Sequence, residues 1–492
     1  MDLNKNYQAN FDDISKSDLK TRLARLSRIC ENLEIPVLVM IDGFESSGKG
    51  YVINNLAEEL NPKYFDVEVF EKDEEYDKKY HFTKRFFDNI PKKGHIKIFD
   101  RSFYYKLFDD VNIDDKELEN KIESLEKVEK ILYDDQTIII KLFLNVSEDE
   151  QKKRIKELEN SNQKSFYLTQ SDKDQNKNYK KYQSHFENIL EKTNFDFSPW
   201  TIIESDNLKK ASKQALYQML EELTIGLERV STQRIDSKNE VRSYSNPVQV
   251  IENLDLNKNI SDEEYEEKKE SLEKEIKDVL FEFYERDIST VLVFEGVDAA
   301  GKDGAIERLI KKVDPRLYTV HAISAPSKEE NEYNYLWRFY NKLPEDGYIG
   351  IFSRSWYGRV MVERVEGFAS TNEWARAYDE ILGFEKQIAE HGSLILKFFV
   401  VIDKDTQYQR FMDRENNPDK NYKITDEDWR NRDKWSEYIN AMDEMLYRTN
   451  VDYAPWIIVE GNQKHYARIK VMEEFLLRAK AHLKEYDKNN NK

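Results

Sequence analysis

The chain has 492 residues, 39% hydrophobic and 35% charged, with a formal net charge of −19. That length allows more than one domain and large cores. The acidic balance excludes a broad nucleic-acid-coating role, although a local cluster of cations can still hold a polyanion. A single cysteine, Cys30, excludes an intrachain disulfide and fits a reducing compartment. The opening MDLNKNYQANFDD lacks the basic and apolar regions of a signal peptide, and the longest apolar runs, VLVMI and TIIIKLFL, are strand-sized. These features predict a cytoplasmic protein with no membrane or nucleic-acid partner; a homo-oligomer is left open.

In chain order, KSDLKTRLARLSRICENL predicts a helix with Cys30 as a buried structural thiol. The strand VLVMI follows, then a glycine-bounded loop from Gly43 to Lys49, the strand-end motif IFDRS, the strand around KLFL, and SPW at residues 198–200. Every one of these landmarks recurs. Gly43, Lys49, Pro62, Pro91 and Gly94 meet Gly296, Lys302, Pro315, Pro344 and Gly347 at an offset of 253, and IFDRS meets IFSRS. From KLFL against KFFV to SPW against APW the offset is 256. The chain is a tandem duplication. We place copy one at residues 1–233, a polar linker at 234–265, and copy two at 266–492.

A capped helix leads from the linker into copy two: Ser261 and Glu264 form a capping-box pattern, and Leu272, Ile276, Val279, Leu280 and Phe283 share one face. The continuous apolar run VLVF predicts a parallel strand buried on both faces. It leads into Gly296-Val-Asp-Ala-Ala-Gly301-Lys302, and Ile306, Leu309, Ile310 and Val313 then mark a helix face. Strand, G-x-x-x-x-G-K and helix together predict a phosphate-binding P-loop: Gly296 and Gly301 let backbone N–H groups turn inward, and Lys302 sets an ammonium on the terminal phosphates. The hydroxyl residue that usually follows the lysine and ligates magnesium is absent; Asp303 stands there in copy two and Gly50 in copy one. Asp298 inside the loop is the natural magnesium ligand, since that ion takes a few carboxylates plus water and phosphate. Copy one has Glu45 at that place, a methylene longer and so expected to misplace a metal.

Four blocks in order, FEGVDAAGKDGAIERL, SRSWYGRVMVERVEGF, KITDEDWRNRDKWSEY and APWIIVEGNQKHYARIKV, together resemble the polyphosphate kinase type 2 family. The two-copy layout resembles its tandem-domain branch, the polyphosphate:AMP phosphotransferases. The resemblance covers residues 270–480 closely and 18–225 loosely. It implies an α/β fold of two tandem P-loop kinase-like (thymidylate-kinase-like) domains, each a parallel sheet flanked by helices with a helical lid. It also implies phosphoryl transfer from inorganic polyphosphate to AMP, giving ADP, with Mg2+.

After the strand GYIGIF, Arg354 and Arg359, with Arg364 further along, can face the transferred phosphoryl group, which asks for positioning and positive charge. The lid segment carries Lys420, Lys423, Arg430, Arg432 and Lys434, a cluster expected to bind polyphosphate, with Lys423, Arg430 and Arg432 closing over it; their counterparts are Lys164, Tyr167, Asp174, Asn176 and Asn178, so one positive charge of five survives in copy one. This loss marks copy two as the catalytic centre and copy one as a degenerate structural partner. Trp429 and Trp435 read as packing residues. The family motif has Asp where this chain has Ser353, which leaves Ser353 to ligate magnesium through its hydroxyl or a water. Two rivals stay open: an ATP-dependent nucleotide kinase on the same fold, and a catalytically impaired polyphosphate-binding protein.

Overall fold

The structure, a computed structural model, describes residues 3, 13–70, 75, 77–160, 168–237, 249–419 and 421–490. The chain divides into two compact units, one of Met1–Glu74, Phe82–Asp236 and Lys328–Trp337, the other of Glu75–His81, Ser237–Ser327 and Arg338–Lys492.

Each unit holds one five-stranded parallel sheet. The first contains β1 (Val37–Gly43), β2 (Phe65–Val69), β3 (Ile96–Asp100), β4 (Ile138–Asn145) and β5 (Trp200–Glu204), in the order β2-β3-β1-β4-β5. The second contains β6 (Thr290–Gly296), β7 (Tyr318–Ala322), β8 (Ile349–Ser353), β9 (Leu394–Val401) and β10 (Trp456–Glu460), in the order β7-β8-β6-β9-β10. The two topologies are identical, as a duplication requires. The central strands are apolar on both faces because helices cover both, and they are buried along nearly their whole length.

The helices form where capping and periodicity agree. Ser261 accepts a hydrogen bond from Glu264 N at the start of Asp262–Glu285, and Ile276, Val279, Leu280 and Phe283 are its buried face. Cys30 is fully buried on Lys16–Asn32, and burial pushes its thiol up to about 12, so it packs as a small apolar group. Helix occupies both ends of the stretch read as linker: Leu208–Ser237 enters it and Asp262–Glu285 starts inside it. Residues 238–248 between them lie outside the described residues. Among the described residues no helix is long and apolar enough to cross a membrane.

A buried polar knot recurs in both units and fixes the segment that follows the third strand in sequence. Lys397 Nζ donates to Glu385 Oε2 at 2.7 Å, to Tyr357 OH at 2.8 Å and to the Thr449 carbonyl at 2.8 Å. Trp356 Nε1 and Tyr357 OH both donate to Glu385 Oε1. The counterparts Lys141, Glu129, Tyr104 and Thr193 repeat the arrangement. Burial pulls the Lys397 ammonium below its ordinary value, and Glu385 opposes that shift. Retention in a copy that has lost four of the five lid cations marks the knot as structural. Removing one partner strands a buried charge, so Glu385→Gln is expected to destabilise the C-terminal unit by about 3–5 kcal/mol. Calorimetry would register this as a lowered transition for that unit.

Candidate active site

The site is built at the carboxyl end of β6, where the chain leaves the sheet beside β9. At Gly296 the backbone has φ of +134°, and a Cβ there would lie 1.9 Å from the Val400 carbonyl oxygen, so only glycine fits. Gly43 meets the Leu144 carbonyl in the same way. The loop then curls back to Gly301, at φ of +107°, which opens the helix Lys302–Leu309. Arg410 braces the loop from behind: NH1 donates to the carbonyls of Ala299 and Ala300, and NH2 to those of Gly461 and Asn462. Holding those carbonyls on one side leaves the loop amides to the other. Arg154 does the same for copy one, donating to the carbonyls of Ser46 and Ser47. Sequence reasoning missed Arg410; its alignment with Arg154 at the 256 offset was the available signal.

Arg354 is set by its neighbours. Ser355 Oγ donates to the fully buried Glu295 Oε1 at 2.7 Å, Trp356 and Tyr357 anchor on Glu385, and Arg354 N donates to the Phe294 carbonyl at 3.0 Å. These ties hold Arg354 at φ of +64°, a left-handed conformation uncommon for a residue with a side chain. Arg101 in copy one has φ of +63°. The Arg354 guanidinium donates from NH2 to Asp298 Oδ1 at 3.2 Å, while Asn431 Nδ2 donates to Asp298 Oδ2 at 3.0 Å. Burial works against the Arg354 charge, yet Asp298, Glu427 and Glu295 outweigh it and raise its pKa. Lys302 Nζ donates to the carbonyls of Gly296 and Val297, and burial lowers its pKa against the pull of Asp298.

A cavity of about 570 Å³ unites Asp298, Gly301, Lys302, Ser353 and Arg354. Gly296 lies next door in an apolar niche that shares Asp298 and Arg354 with this cavity and is lined by Met361, Val362, Tyr438, Ile439 and Met442. Trp435 also lines the niche, while Trp429 packs edge-on to Phe411.

The other expected cations are placed elsewhere. Arg364 donates to Glu444 at 2.6 Å and to Tyr378 OH at 3.0 Å, over the Trp374 ring, and does not line the cleft. Arg359 pairs with Glu363 at 3.0 Å. Arg430 pairs with Glu366 at 3.3 Å, and Arg432 donates to the Lys404 carbonyl at 2.5 Å. Lys420 and the Lys423 side chain, like Lys164 and Tyr167 in copy one, lie outside the described residues. Three cations not foreseen take up the cleft instead: Arg414, Lys464 and Arg468. Arg468 lies against Gly304, where a Cβ would stand 3.1 Å from its NH2.

Copy one lacks all three of these unforeseen cations. Leu158, Leu208 and Ser212 stand where copy two has Arg414, Lys464 and Arg468. Leu208 packs over Gly48 of the loop. The Glu45 carboxylate pairs with Arg101 and, at 3.5 Å, with Lys49, the counterparts of Arg354 and Lys302. Burial alone would raise the pKa of Glu45; the two cations lower it. Gln175 Oε1 accepts from Glu45 N at 2.8 Å, and Ser46 Oγ donates to Asp172 Oδ1 at 2.6 Å, so the helix Gln170–Lys177 is latched onto the loop. Both latching side chains are buried, Asp172 at 3% and Gln175 at 2% exposure.

Fold and site together define a duplicated α/β protein in which one copy keeps a cation-lined cleft for a phosphorylated ligand. The polyphosphate kinase 2 (PPK2) family matches residues 6–230 and 259–487, and the chain belongs to that family. It is 36% identical over 472 residues to the polyphosphate:AMP phosphotransferase of Pseudomonas aeruginosa, covering 94% of each chain. It is 33% identical over 451 residues to the polyphosphate:AMP phosphotransferase of Acinetobacter johnsonii, covering 90% of this chain and 91% of that one. Its fold matches a crystal structure of a polyphosphate kinase 2 from Pseudomonas aeruginosa PA01 with a TM-score of 0.83 at 32% identity, over 96% of this chain and 95% of that one.

Proposed function

We propose that the chain is a polyphosphate:AMP phosphotransferase, a cytoplasmic enzyme that moves the terminal phosphoryl group of inorganic polyphosphate to AMP. A phosphate oxygen of AMP attacks the terminal phosphorus, the bond to the bridging oxygen breaks, and the products are ADP and a polyphosphate one unit shorter. The observation that carries this reading is the convergence of Lys302, Arg354, Arg414, Lys464 and Arg468 on one cleft of an otherwise acidic protein. A chain of inorganic phosphates needs such a row of fixed cations, and phosphoryl transfer needs little else from the protein than charge and alignment.

In this reading the loop amides and Lys302 hold the transferred group, and Arg354 neutralises charge on its oxygens. The nucleoside of AMP enters the apolar niche beside Met361, Tyr438 and Met442, which directs its phosphate at the cleft. Arg414, Lys464 and Arg468 carry the rest of the polyphosphate.

Magnesium fits the donors present. The described residues include no group of three or more acidic, His or Cys ligands, but Asp298 and Asp303 line the same cavity, and magnesium is commonly held by one or two carboxylates together with phosphate and water. Bound there, the ion would offset negative charge on the phosphate oxygens.

Copy one serves as a structural partner, its cradle occupied by Glu45 and its lid latched. Lys49→Ala is therefore expected to leave kcat/KM for AMP within about twofold of the natural protein, because no transition-state contact is lost. Steady-state assays with polyphosphate as donor check this. The reading as a whole is tested by incubating AMP, polyphosphate and magnesium without ATP: ADP must form. Dependence on ATP in place of polyphosphate would refute it.

A further inference from the structure

The strand end of β8 carries Ser353 where the family motif carries a carboxylate, which raises the question of what supplies the missing charge. Ser353 Oγ donates to Asp303 Oδ1 at 3.2 Å. That is the only hydrogen bond of the Asp303 side chain among the described residues. Both residues line the cleft with Lys302 and Arg354. Asp303 is the first residue after the loop lysine, on the helix Lys302–Leu309. Its carboxylate therefore reaches, from the helix side, the corner that a strand-end carboxylate would reach from the sheet side.

Copy one has the mirror arrangement. At the two corresponding positions it carries Gly50 on the helix and Asp100 at the strand end. A Cβ at Gly50 would meet nothing within 4 Å, so that corner has room on its helix side and draws its carboxylate from the strand. Across these two positions each copy thus carries one carboxylate, on the helix in copy two and at the strand end in copy one. Two carboxylates within hydrogen-bonding distance would repel, and one would be driven to its protonated form.

We propose that in copy two Asp303 has taken over the role of the strand-end carboxylate, with Ser353 as the hydroxyl that orients it, so that Ser353 marks a relocated function and not an impaired enzyme. Together with Asp298 across the loop, Asp303 supplies the second carboxylate oxygen toward the divalent ion that accompanies the phosphates. This rests on the phosphotransferase reading above.

The test is manganese binding to the full-length protein, followed by electron paramagnetic resonance in the presence of tripolyphosphate, alongside the magnesium concentration that gives half-maximal rate. Three proteins are compared with the natural chain: Asp303→Asn, Asp303→Gly combined with Ser353→Asp, and Ser353→Asp alone. Asp303→Asn should weaken manganese binding at least about tenfold and raise the magnesium requirement, since loss even of an outer partner of a metal site costs that much. The double variant, which recreates the arrangement of copy one at this corner, should recover both. Ser353→Asp alone should give no gain in turnover. The proposal is overturned if Asp303→Asn binds manganese as the natural protein does, if the double variant fails to recover while folding normally by circular dichroism, or if Ser353→Asp alone raises kcat. Should the natural protein form no ADP from polyphosphate, the phosphotransferase reading fails, whereas the manganese comparison still decides the role of Asp303.

Discussion

Lys302→Ala is expected to abolish ADP formation from polyphosphate and AMP, with kcat falling by about 10³-fold or more. The magnitude follows from position. Lys302 ends the loop inside the cleft, its ammonium held by the carbonyls of Gly296 and Val297 at 2.8 and 3.2 Å. Partial burial there makes its charge worth more than a surface lysine's. The variant should fold, because the loop is braced by Arg410 and the sheet by Gly296, neither of which depends on the lysine. Unchanged circular dichroism and thermal midpoint, with lost turnover, is the expected result in an assay of ADP formed. Full activity in Lys302→Ala would place the reaction elsewhere. The contrast with Lys49→Ala sharpens it: the same substitution in the same motif, silent in the copy where Glu45 already pairs with the lysine.

That contrast also shows what a sequence can and cannot disclose. The duplication, the parallel strands and the glycine-bounded loop were legible because they depend on local pattern: apolar runs, and glycines where a Cβ would strike the next strand. The convergence of Asp298, Lys302, Ser353 and Arg354 followed from the strand-loop-helix context. The lid was read less well. A charge run discloses how many cations there are, not which are already neutralised, and Arg430 is paired by Glu366, some sixty residues away in the chain. Arg364 was misplaced for the same reason, since Glu444 and Trp374 come to it only through packing. Arg414, Lys464 and Arg468 were missed because they sit on two helices far apart in sequence and form no run. Extending the comparison of the copies to both sides of the lid would have exposed them, through Leu158 before it and Leu208 and Ser212 after it.

Those three positions supply the second large effect. A chain with Arg414→Leu, Lys464→Leu and Arg468→Ser, which gives copy two the residues of copy one, should still fold, since the same fold already accommodates them in the N-terminal unit. Each lost cation removes a charge-assisted contact worth about 1.5–3 kcal/mol where it is desolvated and less where water reaches it. Taken together, KM for long-chain polyphosphate should rise by about a hundredfold at least, while KM for AMP, bound at the apolar niche, changes little. The salt dependence should flatten as well, because fewer fixed cations means fewer counterions displaced from the polyanion. Chain length separates this from a general loss of activity. Short donors that reach only Lys302 and Arg354 lose little in the triple variant, and the advantage of long donors over short ones disappears. If long and short donors instead fall by the same factor, the three side chains do not line the path of the polyphosphate, and the anion leaves the cleft by another route.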